Sequence, residues 1–170
     1  MGLFSKSHFD SLEDLFIHQL EDLYDAEKRI RDGLVQMAGA AHNPELKQAF
    51  QTHLAETEGQ ITRLERVFKQ VGREPERETC EAAKGLIREG SEMISSTGDP
   101  DVKDAGLIAA AQRIEHYEIA GYGTARTLAN QLGHTGAASL LQETLDEEGR
   151  TDKLLTRIAE SGVNLKAARS

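Results

Sequence analysis

The stretch FIHQLEDLYDAEKRIRDGLVQM, Phe16 to Met37, decides the fold. Its apolar residues fall at Phe16, Leu20, Leu23, Ile30, Leu34 and Met37, and the pattern reaches back through Leu12 to Phe9. Every step is three or four residues once position 27 is counted. That spacing marks one face of a helix packed nearly parallel to its neighbours. Position 27 holds Glu27, where the pattern calls for another Leu. The first element is therefore a long one-sided helix with a carboxylate in its seam, and the rest of the chain must supply its partners.

Outward from that helix the punctuation is regular. Asp10 reads as a cap with Glu13 as its capping-box partner, which gives a helix over about 10–41. Asn43-Pro44 is a cap followed by an N1 proline, opening a second helix over 44–71 that Gly72 stops. Asp99-Pro100 repeats the signal for a helix over 100–132, closed by Gly133, and Thr135 caps a last one over 135–161 that ends near Gly162. A shorter helix is expected over 76–97, with Cys80, Ala83, Ile87 and Ile94 on its apolar side and Cys80 as a buried small residue. No segment alternates with period two, so no strands are expected. The long helices are each about 45 Å at 1.5 Å per residue. Links at 41–43 and 133–135 are short enough to make two antiparallel hairpins, and the link between them is long enough to cross the length of a bundle. The expectation is one all-α domain over 1–170, a four-helix bundle with an additional helix in the long crossover between helices 2 and 3.

The two halves repeat at an offset of 91 residues. Phe16, Leu23 and Leu34 fall on Leu107, Ile114 and Ala125, and Leu54 and Leu64 fall on Leu145 and Leu155. At the same offset Glu27 falls on Glu118 and Glu56 on Glu147. An unpaired carboxylate in a seam costs several kcal/mol or takes up a proton. Divalent cations between four such groups remove that cost. One Glu from each of four inward-facing helices is the ligand pattern of dinuclear carboxylate proteins, so Glu27, Glu56, Glu118 and Glu147 are the first candidates for metal ligands. His53, Glu115 and Glu143 lie one turn from them and join the candidate set. Tyr24 reads as packing or as a hydrogen bond behind a ligand, and Glu21, Asp22 and Asp25 as a solvated face. The competing reading is a buried polar network, with the carboxylates protonated or paired to Arg150.

Composition narrows the function classes. The formal net charge is −9 with no basic stripe, so nucleic acid and anionic membranes are not expected partners. The longest apolar run, Leu107–Ala111, is too short to cross a bilayer. Cys80 stands alone, which rules out an intrachain disulfide and suits a cytoplasmic location. The first residues lack the apolar core of a signal peptide, and Lys6 stands where N-myristoylation needs Ser or Thr.

The segments Leu20–Glu27, His53–Thr57, Glu115–Ala120 and Glu143–Glu148 resemble the YciE/YciF family of ferritin-like bacterial stress proteins, over about Ser11 to Val163. The resemblance implies a ferritin-like, up-down-down-up bundle, a homodimer, a metal site and a role in stress. The Glu115-x-x-Glu118 pair also resembles the third helix of rubrerythrins. Ferritins and rubrerythrins carry a His three or four residues after the Glu of helices two and four. Here those positions hold Gly59 and Gln60, and Arg150 and Thr151. The donor set is accordingly expected to be mainly oxygen, which suits Fe or Mn. The resulting expectation is a dinuclear Fe or Mn site, two ions per chain, without an organic cofactor, reacting with oxygen or peroxide. The alternative is a non-catalytic structural or interaction helical dimer with a polar core.

Overall fold

A computed structural model describes residues 8–170; the reading of the extreme N-terminus at Gly2 and Lys6 lies outside them. All regular structure among the described residues is helical. In chain order it comprises α1 (Leu12–Ala40), α2 (Pro44–Gln70), α3 (Glu81–Ser95), α4 (Pro100–Gln131), α5 (Thr135–Ile158), a π-helical turn (Ala159–Val163) and α6 (Asn164–Ala167). No helix among the described residues is long and apolar enough to cross a membrane.

The caps explain most boundaries. Asn43 accepts from the amides of Glu45 (2.9 Å) and Leu46 (3.1 Å), and Asp99 does the same for Asp101 and Val102. Pro44 and Pro100 follow as first helical residues, where a missing N–H costs nothing. Gly72 and Gly133 end α2 and α4 with φ of 72° and 82°, a left-handed conformation that suits glycine.

Four boundaries differ from the sequence reading. α1 is capped by Ser11 rather than Asp10: Ser11 Oγ accepts from the Asp14 amide at 3.1 Å and donates to Asp14 Oδ2 at 2.7 Å. Asp14, not Glu13, is thus the capping partner. α5 has His134 at its cap position without a side-chain cap bond, because the imidazole pairs with Glu13 at 3.1 Å, and Thr135 is already helical. Gly162 does not stop the last helix, which relaxes through the π-turn into α6.

α3 begins at Glu81, five residues later than expected. The preceding segment is held extended against α1 by Asp25, which accepts from Arg77 Nε (2.9 Å) and from the Cys80 amide (2.9 Å) as well as from Arg29 Nε (2.5 Å). Asp25 is therefore buried, not part of a solvated face. Cys80 is buried as expected and caps α3, its sulfur accepting from the Ala83 amide.

α1 packs on α2 and α4, and α5 packs on the same two helices, so the four long helices close a ring; α3 lies against α1 and α4. Asp104, fully buried on α4, accepts from the amides of His42 and Asn43 and pins the α1–α2 link. The core falls into two apolar clusters. One gathers Leu34, Met37, Leu46, Phe50, Leu107 and Leu155; the other gathers Phe16, Leu20, Leu64, Phe68, Tyr122 and Leu141. Along α1 and α5 the chain passes from the second cluster to the first, and along α2 and α4 from the first to the second. On α2, α4 and α5 a short polar stretch separates the two, and on α1 Glu27 lies just past the change from one cluster to the other.

Candidate metal centre

The polar layer follows from the same three-and-four spacing that builds the core. The α2 seam runs Leu46, Phe50, His53, Thr57, Gln60, Leu64, Val67, and all seven are buried. The α5 seam runs Leu141, Thr144, Glu148, Thr151, Leu155, Ile158, again all buried. α1 contributes Glu27 between Tyr24 and Ile30, and α4 contributes Glu115, Glu118 and Tyr122. Apolar residues one turn above and below exclude water, so the polar side chains must satisfy one another or a ligand.

They satisfy one another only in part. His53, Glu115, Glu118 and Glu148 each offer a donor atom such that all four lie within 4.8 Å of one another. His53 Nε2 is 3.2 Å from Glu115 Oε1 and 3.7 Å from Glu148 Oε2. Gln60 Nε2 donates to Glu148 Oε1, and the Tyr122 hydroxyl donates to Glu27 Oε1. Yet Glu27 Oε2, Glu115 Oε2, Glu148 Oε2, both oxygens of Glu118 and His53 Nε2 are buried without a hydrogen-bond partner among the described residues. Native proteins seldom leave such atoms orphaned, and each left so costs about 1–3 kcal/mol.

Electrostatics tell the same story. Burial, then the neighbouring carboxylates of Glu148, Glu27 and Glu115, drives Glu118 well above the usual carboxylate range. Glu148 is driven up by burial and by Glu115, against the pull of His53. Glu27 is pushed up to about 7, chiefly by burial, with the Tyr122 hydrogen bond and the His53 charge opposing. Burial alone would lower His53, but Glu115, Glu56 and Glu148 outweigh it and hold the imidazole well above its ordinary value. Burial and the charges of Glu27 and Glu118 hold the Tyr122 phenol protonated.

Of the residues singled out from sequence, Glu27, His53, Glu115 and Glu118 are buried in this layer. Three lie elsewhere. Glu56 sits beside the layer with 31% of its side chain exposed. Glu147 turns away into a two-pronged pair with Arg63, at 2.9 Å on both prongs, and Glu143 is exposed, with Arg63 Nε at 3.4 Å. Arg63 is the arginine that pairs with Glu147 at this edge, and the charge of Arg150 acts on Glu56. The inward carboxylate of α5 is Glu148, which sequence reasoning passed over together with Tyr122; Gln60, one turn after Glu56, reads from sequence as a polar donor of this stripe and is found bonded to Glu148. The signal for Glu148 was the α5 seam itself: it lies seven residues from both Leu141 and Leu155. Tyr24 faces α2, its hydroxyl donating to Glu65 at 2.7 Å.

The residues present fit a hard divalent cation. Three carboxylates and one imidazole converge, a fourth carboxylate stands beside them, and their unpaired atoms are of the types that bind Mn or Fe. Binding would displace the protons that burial forces on these groups in its absence.

This helical architecture and its buried His/Glu layer coincide with a family match over residues 11–168, described as a domain of unknown function (DUF892), and the chain belongs to that family. It is similar to Protein YciF of Escherichia coli strain K12, with 51% identity over 158 residues that cover 92% of this chain and 95% of the relative. The crystal structure of that E. coli stress protein superposes with a TM-score of 0.89, at 50% identity over 92% of this chain and 99% of the other. YcfI of Rhodopseudomonas palustris superposes with a TM-score of 0.86, at 41% identity over 91% and 98% of the two chains. The family resemblance read from the four carboxylate segments is thereby borne out.

Proposed function

We propose that this chain is a ferritin-like metal protein of the stress response. His53, Glu115, Glu118 and Glu148 would hold a divalent Fe or Mn ion, and Glu27 beside them would help to hold a second, making a dinuclear site suited to oxygen or peroxide. The observation that carries the reading is the convergence of unpaired buried donor atoms from α1, α2, α4 and α5 in one layer. The passage of α1 and α5 in one direction between the two core clusters, and of α2 and α4 in the other, supports an up-down-down-up bundle of the ferritin kind. The description of YciF as a stress protein supports the cellular role.

The chain's own residues prepare the site. Tyr122 and Gln60 each tie one oxygen of Glu27 and Glu148, leaving the other oxygen free to face inward. The Arg63–Glu147 pair closes the α2–α5 edge beside them. The two apolar clusters keep water from the layer, which strengthens every charge interaction within it. A bound Fe or Mn ion supplies electrons and Lewis acidity toward a small oxidant.

The test is consumption of hydrogen peroxide by Fe- or Mn-loaded protein, compared with the free ion and with Glu118→Ala. Turnover above the free ion and lost in the variant supports the reading. Turnover no greater than that of the free ion contradicts the catalytic part of it.

A further inference from the structure

Glu56 has no place among the four converging donors, yet it is the charged group nearest the outer face of one of them. It lies on α2 one turn after His53, a spacing that puts both side chains on one face. Its Oε2 is 3.5 Å from His53 Nδ1, and Thr151 Oγ1 lies 3.4 Å from both atoms. On its other side the same imidazole presents Nε2, without a hydrogen-bond partner among the described residues, toward Glu115 and Glu148.

We propose that Glu56 is a positioning residue: its carboxylate holds His53 by Nδ1 so that Nε2 is presented to the bound cation. The proposal rests on the metal-binding reading above. A neutral imidazole has one nitrogen with a proton and one with a lone pair, and the acceptor beside the first decides which nitrogen can ligate. At Nδ1 the neighbours are the Glu56 carboxylate and the Thr151 hydroxyl. The hydroxyl itself donates toward Glu56, so the carboxylate is the acceptor on which both converge. Metal-bound histidines commonly donate their second N–H to a carboxylate in this way, which fixes the ring and raises its basicity. The arrangement exists in one half of the molecule alone. At the 91-residue offset His53 is replaced by Thr144 and Glu56 by Glu147, and Glu147 holds Arg63.

The test uses the full chain. Protein labelled with 15N at histidine is titrated with Zn2+ as a diamagnetic probe, and Co2+ affinity is read from visible absorption. His53 should show a metal-bound Nε2 and a protonated Nδ1. Glu56→Ala should weaken Co2+ binding by about 10–100-fold, and Glu56→Gln, whose amide oxygen still accepts from Nδ1, should recover most of the loss. Thr151→Val should weaken binding less than Glu56→Ala. A metal-bound Nδ1, or equal Co2+ affinity in wild type and Glu56→Ala, would overturn the proposal while leaving the metal site standing. Failure of the wild-type protein to bind either ion would overturn both. Glu56 is part-exposed, so its variants should keep the helical circular dichroism of the wild type, and the nitrogen assignment in the wild type needs no variant.

Discussion

Glu147 and Glu148 are neighbours in the chain and face opposite surroundings: Glu148 is fully buried beside His53, and Glu147 is clasped by Arg63 at the bundle edge. One helical step of 100° separates a candidate ligand from an ion pair. Glu148→Gln should therefore lower Mn2+ affinity by at least about tenfold, and Glu147→Gln should leave it near that of the wild type while costing about 1 kcal/mol through the lost Arg63 pair. Calorimetric titration of both variants decides it. The reverse pattern would place the ligand at Glu147.

Glu118 is buried with both oxygens unpaired among the described residues. A leucine there would continue the apolar seam of α4. In chelator-treated protein Glu118→Leu should be neutral or stabilising by about 1–3 kcal/mol, since replacing a buried charged group with a well-packed apolar one often is. The same variant should lose metal. Urea unfolding with and without Mn2+ measures both effects. A large loss of stability in the metal-free variant would mean that Glu118 is held by bonds of its own.

The folded-state pKa values of Glu27, Glu118, Glu148 and His53 are all raised. A raised group adds stability at low pH that is lost as pH climbs through its folded value. For Glu27 that window runs from an unfolded value near 4.3 to about 7. Asp25 and Glu56 are lowered, and their contribution is lost only as pH falls through their depressed values. Metal-free protein should then melt at least about 5 °C higher at pH 5.5 than at pH 8. Metal-loaded protein should show the opposite trend, because its ligands must be deprotonated. A flat or rising profile without metal would contradict the buried carboxylates.

Asp25 ties the segment before α3 to α1 through Arg77 and the Cys80 amide, with Arg29 on the same carboxylate. Asp25→Ala should cost about 3 kcal/mol, the range for opening a buried charged network. It should also speed amide hydrogen exchange at Cys80 more than in the α2 seam. Uniform acceleration across the chain would mean that the contact does not hold that segment locally.

Much of this was legible in the chain. The steps from Phe16 to Met37 give α1 and place Glu27 inside it, and the Pro44 and Pro100 signals mark the starts of α2 and α4 to the residue. Glu115, Glu118 and His53 follow from the same periodicity. Glu148 was hidden by the repeat: its partner at 91 residues is Thr57, so matching identical residues picked Glu147 instead. The pairing of Glu147 with Arg63 joins residues 84 apart on different helices, which local pattern does not reveal. The late start of α3 has a similar cause, since Asp25 recruits the segment before it from 52 and 55 residues away.

The central claim is that the buried His/Glu layer holds metal. The most direct measurement is metal per chain, by plasma mass spectrometry, in protein purified from cells supplied with iron and manganese, beside Glu118→Ala/Glu148→Ala. About two Fe or Mn ions per chain, the dinuclear stoichiometry of carboxylate bundles, lost in the double variant, is the expected result. Protein free of metal, or metal retained equally by the double variant, would contradict the account.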